Sequence, residues 1–282
     1  MGMRVIRSVA QLRAVLSAYR KKGKSIGFVP TMGAFHEGHL SLMRRARKDN
    51  DVCVVSLYVN PKQFVAGEDL GRYPRHFHRD RKMINKENID ILFYPSDNTI
   101  YPKGFLTYID VAELPAYLCG KFRPGHFRGV ATIVAKLLNM VQPQVLYLGQ
   151  KDAQQVAVLK AMVKDLDFPV KVKVLPTVRE PDGLAMSSRN AYLSAEHRKE
   201  AVIIFKALKS ARNLVRGGEY QAKAVIRSMT KLIQTTSGHV QYISCVDTFT
   251  LRELNELKGD VLIAVAVFFG KTRLIDNIVV RV

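Results

Sequence analysis

The sequence has few cysteines, few acidic residues for its number of basic ones, and no apolar run long enough to cross a membrane. Cys53, Cys119 and Cys245 lie far apart without a Cys-x-x-Cys pair, so neither a disulfide framework nor a zinc ribbon is indicated. The longest nearly unbroken apolar run, residues 261–269, is about half as long as a membrane-spanning helix, and we expect a buried strand there. Cys53 lies in another apolar run, which predicts a buried, unreactive thiol. The first residues lack the apolar core of a signal peptide, which favours the cytoplasm and no membrane partner.

The shortage of acidic residues gives the chain a strongly basic character. It has 44 Lys and Arg against 24 Asp and Glu, a formal net charge of +20. Such a charge suits nucleic-acid binding, and it equally suits an enzyme whose ligands are polyanions. The basic residues are spread along the chain, with no long Lys/Arg block and no RRM, KH or helix-turn-helix signature. A non-enzymatic RNA-binding protein therefore remains an alternative, and we expect no nucleic-acid partner.

Strands and helices alternate in the first part of the sequence. Short apolar runs predict strands at 25–30, 52–59, 89–94, 107–111, 145–149 and 170–175. Apolar residues at helical spacing predict helices at 9–19, from about His36 or Gly38, and at 73–87, 130–141 and 152–166. This alternation is typical of an α/β fold in which helices cover both faces of a parallel sheet.

The last third of the chain has a different order of elements. Helices are predicted at 195–215 and 219–234, and strands follow at 240–246, 261–269 and 275–280. Helices followed by an antiparallel sheet indicate a smaller α+β domain. A length of 282 residues fits two unequal domains, which we place at 1–175 and 176–282.

Two histidines three residues apart follow the predicted strand 25–30. The stretch Pro-Thr-Met-Gly-Ala-Phe-His-Glu-Gly-His ends that strand, makes a glycine turn and opens a helix, so His36 and His39 should share one helix face. A helix start offers free N–H groups and the positive end of the helix dipole, which suits phosphate. Imidazoles can also donate hydrogen bonds to charge that builds on phosphorus. Zinc proteases need their histidines four residues apart, so metal ligation is not indicated.

A glycine-rich nucleotide loop is not present. Gly23, Lys24 and Ser25 resemble the end of a P-loop, but Ala18 stands where the motif requires glycine. The lysine also precedes a predicted strand instead of following one. No Gly-x-Gly-x-x-Gly occurs either, so a nicotinamide or flavin site has no support.

Other basic and hydroxyl groups lie where an anion would be bound. Lys151 follows the predicted strand 145–149, at the carboxyl end where open α/β sheets bind ligands. A lysine near a helix start is unfavourable beside the helix dipole, and an anionic ligand would explain it. Ser187, Ser188 and Arg189 lie together in a loop after the first domain, where they can hold phosphate oxygens.

Amide side chains form a second chemical group. Asn60 and Gln63 follow the predicted strand 52–59, and Gln155 lies near the start of the predicted helix 152–166. Amides suit a polar, uncharged substrate face with hydroxyls and a carbonyl. Asn60 precedes a proline, so a turn-capping role is its alternative. The loop 123–129 adds two arginines and a histidine as possible anion contacts.

Taken together, these motifs resemble one known family. Residues 36–39 are similar to the HxGH signature of nucleotidylyltransferases and class I tRNA synthetases, and residues 186–189 are similar to their KMSKS loop. Five stretches together resemble the pantothenate synthetase (pantoate–β-alanine ligase) family. They are Pro-Thr-Met-Gly, Val-Asn-Pro-x-Gln-Phe, Arg-Pro-Gly-His-Phe-Arg-Gly-Val, Gly-x-Lys-Asp-x-Gln-Gln and Asp-Gly-Leu-Ala-Met-Ser-Ser-Arg-Asn. These stretches occur in order, at the family's spacing, from about Pro30 to Leu193.

The resemblance implies a fold and a reaction. The fold would be a Rossmann-like nucleotidylyltransferase domain with a smaller α+β C-terminal lid, usually in a homodimer. Pantoate and ATP would form pantoyl adenylate and pyrophosphate, and β-alanine would then displace AMP to give pantothenate. Mg²⁺ would accompany the ATP.

The resemblance also implies roles for the residues at matching positions. The catalytic groups would be His36, His39, Lys151 and Arg189. ATP would be bound by Met32, His39, Gly149, Lys151, Asp152, Val178, Met186, Ser187, Ser188 and Arg189. Pantoate would be held by Gln63 and Gln155, and Asn60 would assist β-alanine.

Three positions depart from the family's pattern. Lys62 stands where Met is frequent, and Gln150 stands where Glu is usual. Arg79 precedes Asp80 where a second acid is often found, which puts an acidic metal site there in doubt. None of these changes removes a group that the chemistry needs. A neighbouring alternative is a nucleotidylyltransferase that joins AMP or CMP to a phosphorylated acceptor; it would share HxGH and lack the amide pair.

Overall fold

The chain forms two compact units in the computed structural model, which describes residues 2–282. The first unit contains the residues up to Ala112, together with Arg123–Gly149 and Val158–Leu175. The second unit contains Glu113–Phe122, Gln150–Ala157 and Pro176–Val282. Each unit has a sheet of its own.

The first unit is built on a six-stranded parallel sheet. Its strands are β1 (Arg4–Ile6), β2 (Ile26–Thr31), β3 (Val52–Leu57), β4 (Ile91–Phe93), β5 (Val145–Gly149) and β6 (Lys171–Leu175). Across the sheet they follow the order β1-β4-β3-β2-β5-β6. The order reverses between β2 and β5, because the chain builds outward on one side of β2 and later returns to its other side. Sheets of this kind bind ligands beyond the carboxyl ends of their strands, at the point of reversal.

Helices follow most of these strands along the chain. They are α1 (Val9–Arg20), α2 (Glu37–Asp49), α3 (Phe77–Asn85), α4 (Asp97–Ile100), α5 (Leu118–Lys121), α6 (His126–Val141) and α7 (Ala153–Asp165). Of these, α5 and the first residues of α7 belong to the second unit. All six residues of β3 are buried, as expected of a strand that is covered on both faces. Cys53 and Val55 pack against Met43 of α2, while α6 packs on β2 and α1. Tight packing on both faces fixes the carboxyl ends of β2 and β5, which the predicted phosphate-binding residues follow in the sequence.

The second unit has an antiparallel sheet and further helices. The strands are β7 (His239–Asp247), β8 (Asp260–Phe269) and β9 (Thr272–Arg281), paired in that order. The helices are α8 (Ala195–Glu200), α9 (Ile203–Arg216) and α10 (Ala222–Ile233). One face of β8, which includes Val261, Ile263 and Val265, packs with the apolar residues of α9 and α10. Its other face, with Leu262 and Ala264, packs against a smaller apolar cluster, so β8 is buried on both sides.

The predicted fold class is confirmed, with corrections to its elements, among them the short helices α4 and α5, which were not predicted. No strand forms at 107–111, where the backbone N–H of Ile109 donates to Thr132 Oγ1 at 2.9 Å instead of to a neighbouring strand. The three-residue strand β1 was not predicted, because so short a segment carries little periodic signal. The helix predicted at 195–215 is two helices, since residues 201–202 form a turn between α8 and α9.

The two units differ from the predicted domains 1–175 and 176–282 at two segments. Glu113–Phe122 and Gln150–Ala157 belong to the second unit, although the sequence placed them in the first domain. Contacts with the second sheet account for the difference, since Leu118 lies in one apolar cluster with Val246 and Leu262, and Asn277 Nδ2 donates to the carbonyl oxygens of Gln150 and Lys151. Gln154 Nε2 donates to the carbonyl oxygens of Leu114 and Tyr117 at 2.9 and 2.7 Å, which ties these segments together. The division into a catalytic domain and a lid remains a prediction.

All three cysteines are buried free thiols. Burial raises the pKa of Cys53 far above its usual value, so that thiol stays protonated, as a buried, unreactive thiol requires. Burial also raises the pKa of Cys245, to about 12. Across residues 2–282, none of the helices combines the length and the apolarity that crossing a membrane demands.

Candidate active site

The histidine pair lies directly beyond the carboxyl end of β2. His36 caps α2, and its Nδ1 accepts a hydrogen bond from the backbone N–H of Gly38 at 3.2 Å. Because Nδ1 is the acceptor, the proton of a neutral His36 imidazole is on Nε2. The ring centroids of His36 and His39 are 4.1 Å apart, which confirms that the two side chains share one face of the helix start. Two imidazoles and the helix start thus converge where an anion is favoured.

A buried carboxylate holds the turn that leads into this helix. Asp80 of α3 accepts hydrogen bonds from the backbone N–H groups of Ala34 and Phe35, at 2.8 and 3.0 Å. Gly33 and Ala34 both have positive φ angles, 84° and 53°, so the turn is a backbone conformation that needs support. A Cβ at Gly33 would also lie 2.9 Å from Asp80 Oδ2. The sequence analysis named Asp80 only in connection with a doubtful metal site. The signal that could have found this role is that Asp80 is the one acidic residue in a basic stretch from Tyr73 to Lys86.

The amide group of the first unit is closely organised. Asn60 is 1% exposed, and its Nδ2 donates to Gln63 Oε1 and to the carbonyl oxygen of Gly129, both at 3.1 Å. Its Oδ1 accepts from Tyr101 Oη at 2.8 Å and from the N–H of Lys62 at 3.3 Å. Both capacities of the Asn60 side chain are therefore used, and the turn-capping alternative is confirmed.

Gln63 is also brought next to a predicted nucleotide contact. Its Nε2 lies 3.0 Å from Met32 Sδ, so these two predicted site residues meet in the first unit. Gly129 of α6 is needed here for close approach, because a Cβ on it would lie 2.2 Å from the carbonyl oxygen of Lys62. The glycine of the Arg-Gly-Val motif therefore lets α6 pack directly against the segment that carries Gln63.

A charged network supports the same segment from the loop 123–129. Arg123 pairs with Glu68 through Nε–Oε1 and Nη2–Oε2 contacts of 2.5 and 2.7 Å. His126 Nε2 lies 3.0 Å from Arg123 Nη1 and must accept there, since a guanidinium only donates. Its Nδ1 then carries the proton and donates to the carbonyl oxygen of Gln63 at 2.6 Å. Burial raises the pKa of Glu68, but the hydrogen bonds and charge of Arg123 outweigh burial and hold that pKa below its usual value.

In the second unit, Lys151 lies in a short 3-10 helix, Gln150–Asp152, that leads into α7. Lys151 Nζ is 3.5 Å from Asp152 Oδ1, and the lysine side chain is 20% exposed. Gln154 is buried and accepts from the N–H of Gly120 at 3.3 Å, besides the two carbonyl contacts given above, so the start of α7 is held firmly. Gln155 is half-buried beside it.

The serine–arginine loop is shaped by its own hydrogen bonds. The N–H of Met186 donates to the carbonyl oxygen of Val178 at 3.0 Å, which joins the two ends of a hairpin-like turn. Ser187 then caps a 3-10 helix, Ser188–Tyr192, by accepting from the N–H of Arg189 at 3.3 Å. Asn190 Nδ2 donates to the carbonyl oxygen of Ala185 at 3.1 Å. The loop is thus an ordered element of the second unit.

The predicted site residues fall into two sets. The first unit carries Met32, His36, His39, Asn60, Gln63 and Gly149. The second unit carries Lys151, Asp152, Gln155, Val178, Met186, Ser187, Ser188 and Arg189. Within residues 2–282, no group of three or more His, Cys, Asp or Glu side chains is arranged to hold a metal ion.

The fold and the site define a nucleotide-using enzyme of the HxGH class. The defining features are a parallel α/β sheet, a histidine pair at the helix that follows β2, and a Ser-Ser-Arg loop. The family model described as pantoate-beta-alanine ligase matches residues 4–279. The chain belongs to this family.

Named relatives and solved structures agree with this assignment. A pantothenate synthetase from Sulfurihydrogenibium sp. (strain YO3AOP1) is 52% identical over 98% of this chain and 99% of its own. One from Acetivibrio thermocellus is 51% identical over 99% of this chain and 100% of its own. The crystal structure of pantothenate synthetase from Thermus thermophilus matches with a TM-score of 0.93 at 44% identity, covering 98% of this chain and 99% of that chain. Pantoate-beta-alanine ligase from Francisella tularensis, complexed with beta-gamma ATP and beta-alanine, matches with a TM-score of 0.83 at 38% identity, covering 98% and 97%.

Proposed function

We infer that this chain condenses pantoate with β-alanine at the expense of ATP, giving pantothenate, AMP and pyrophosphate through pantoyl adenylate. The observation that carries this conclusion is the match of the pantoate-beta-alanine ligase family model over residues 4–279. The Francisella tularensis relative was crystallised with an ATP compound and β-alanine, which supports the same two substrates for this chain.

In the first step, the pantoate carboxylate attacks the α-phosphorus of ATP and pyrophosphate leaves. His36 and His39 stabilise the triphosphate and the charge that builds in the transition state. The capping bond to Nδ1 leaves the proton of His36 on Nε2, where it can be donated to a phosphate oxygen. His36 therefore works as a hydrogen-bond donor and not as a base.

The second unit supplies the other phosphate-binding groups. Lys151 provides a compact positive charge, Ser187 and Ser188 provide hydroxyl donors, and Arg189 provides a guanidinium fork. Met32, Gly149, Asp152, Val178 and Met186 complete the nucleotide-binding set. The match of the family model over residues 4–279 supports a nucleotide-binding role for these residues.

The amide groups recognise pantoate. Gln63 and Gln155 hold its hydroxyls and carboxylate, since each amide both donates and accepts. Asn60 assists β-alanine through Gln63, because its own hydrogen-bonding positions are occupied within the protein. The amine step then proceeds by positioning, since an adenylate is already activated.

Three further features are part of the proposal. Mg²⁺ accompanies ATP, bound mainly through the phosphates, as is usual for this ion. Two chains form a homodimer. The enzyme works in the cytoplasm, where ATP is available.

Product analysis tests the function directly. Purified protein is incubated with ATP, Mg²⁺, pantoate and β-alanine, and pantothenate, AMP and pyrophosphate should appear in equal amounts. Omission of any organic substrate should abolish pantothenate formation. Formation of ADP and phosphate instead, or transfer of AMP to a phosphorylated acceptor, would contradict the proposed reaction.

A further inference from the structure

The last strand of the second unit carries two adjacent polar residues that are buried. Asp276 and Asn277 of β9 are 3% and 5% exposed, and we call them the β9 pair. Neighbouring residues of a strand point to opposite faces of its sheet. One dipeptide can therefore reach two different segments of the chain.

Asn277 holds the segment that contains Lys151. Its Nδ2 donates to the carbonyl oxygens of Gln150 and Lys151, at 3.0 and 2.9 Å. Its Oδ1 accepts from Gln150 Nε2 at 3.0 Å. Three bonds from one side chain fix the backbone at the position from which the Lys151 side chain extends.

Asp276 holds the turn that leads into the serine–arginine loop. Its carboxylate binds the Arg179 guanidinium at two points, with Nη1–Oδ2 and Nη2–Oδ1 distances of 2.6 and 3.0 Å. Arg179 Nη1 also donates to the carbonyl oxygen of Gly183 at 3.1 Å, and the guanidinium carbon lies 3.8 Å from the Phe205 ring centroid. The turn from Arg179 to Ala185 is therefore anchored on β9 by a planar, two-point contact.

The two contacts are joined to each other. Asp276 Oδ1 accepts from the backbone N–H of Asn277 at 2.8 Å. Burial raises the pKa of Asp276, while Arg179 and the positive charge of Lys151 oppose that effect. A buried ion pair is costly to desolvate, and apolar residues of the same volume often give equal stability. A role in geometry is the better explanation for a buried pair at this position.

We propose that the β9 pair consists of positioning residues that set the Lys151 segment and the loop Ser187–Arg189 in one fixed arrangement, so that their phosphate-binding groups meet the same polyphosphate. This rests on the proposed function. In the proposed function, neither Asp276 nor Asn277 contacts ATP. The pair acts through the backbone that carries Lys151 and through the turn that precedes Ser187.

The test compares Asn277→Asp, Asn277→Ala and Arg179→Lys with the parent enzyme. Asn277→Asp keeps the side-chain shape and replaces two donors by an oxygen that faces carbonyl oxygens. Arg179→Lys keeps the charge and loses the two-point contact. Ser244→Ala is the matched control, because Ser244 is a buried polar residue of the same sheet whose side chain bonds to Glu253, away from both segments.

Steady-state rates are measured for pantothenate formation, and single turnovers are measured with preformed pantoyl adenylate and β-alanine. For Asn277→Asp, Asn277→Ala and Arg179→Lys, kcat/KM for ATP should fall on the order of 100-fold, because a small misplacement of binding groups costs about that much. Turnover of the preformed adenylate should stay near the parent rate, since pyrophosphate has already left. Ser244→Ala should behave as the parent enzyme in both assays.

Four outcomes are informative. Folded variants with a normal kcat/KM for ATP would overturn the positioning role, and so would an equal loss in both assays. If Asn277→Ala does not fold, Asn277→Asp and Arg179→Lys decide the question by the same criterion. If the parent enzyme itself makes no pantothenate, the proposed function fails, and this result is distinct from a failure of the positioning role.

Discussion

At the scale of single residues, His36 has two tasks that use different atoms. Its Nδ1 caps α2, and its Nε2–H is directed to phosphate in the proposed function. The sequence motif predicted that the histidines would lie together on one helix face. It did not show which nitrogen carries the proton, because that depends on the backbone geometry of the turn.

We expect glutamine to replace either histidine better than alanine does. Alanine at His36 or His39 should lower kcat by about 100-fold to 1,000-fold, the usual loss when one transition-state donor is removed. Glutamine, whose side-chain amide can still donate to a phosphate oxygen, should retain clearly more activity. Both are measured as initial rates of pantoate-dependent pyrophosphate release. Equal losses for Gln and Ala would show that the histidines transfer protons instead.

The two hydrogen bonds that Asp80 accepts from the turn before His36, here called the Asp80 clamp, give a second prediction. Asp80→Asn leaves one acceptor oxygen where two backbone N–H groups now donate, so the turn before His36 should lose a charge-assisted bond. Urea unfolding should show a loss of about 2 kcal/mol, with reduced activity. Asp110→Asn is the control, because the Asp110 side chain is 71% exposed. An Asp80→Asn enzyme with the parent's stability and activity would exclude the clamp.

At the scale of elements, the sequence predicted most of the strands and helices because their apolar patterns are long enough to read. β3 and β8 are continuous apolar runs and were found at nearly the observed bounds. The strand expected at 107–111 does not form, since a side chain of α6 takes the N–H of Ile109. That competition between a tertiary contact and a strand ladder has no local signature in the sequence.

The network from Glu68 to Gln63 predicts a dependence of stability on pH. The folded-state pKa of Glu68 is lowered, so its contribution to stability is present above the ordinary Glu pKa of about 4.3 and is lost as pH falls through the lowered value. Glu68→Gln should therefore be less stable than the parent at neutral pH, with a difference that shrinks below about pH 4. Urea unfolding across this pH range measures it. Glu113→Gln, in an exposed pair with Arg252, should show little effect at any pH. A Glu68→Gln difference that grows at low pH would contradict the assignment.

At the scale of the whole molecule, the parts of the site that sequence reasoning missed are those that join distant segments. Asn277 bonds to Lys151, and Asp80 bonds to Ala34, across long stretches of chain. Motif spacing reveals groups that meet a ligand, but it does not reveal groups that hold other groups. The same limit explains why the predicted boundary at residue 175 did not separate residues 113–122 and 150–157, which the structure groups with the second unit.

The net charge of +20 is also a property of the whole molecule. ATP and pyrophosphate are polyanions, and a positive field attracts them. We expect any binding of RNA to be non-specific and to vanish as salt is raised, because such binding depends on counterion release. Gel-shift titrations at increasing KCl, run beside the ligase assay, measure both. Tight RNA binding that survives salt concentrations at which ligase activity is lost would favour the nucleic-acid alternative.

The central claim is that this chain forms pantoyl adenylate from pantoate and ATP. The most direct test is exchange of labelled pyrophosphate into ATP with purified protein, Mg²⁺ and pantoate, in the absence of β-alanine. The account predicts exchange that depends on pantoate, since the adenylate step is reversible and needs no amine. Exchange that requires a different acid would contradict the assigned substrate, and no exchange with any acid would contradict the adenylate mechanism itself.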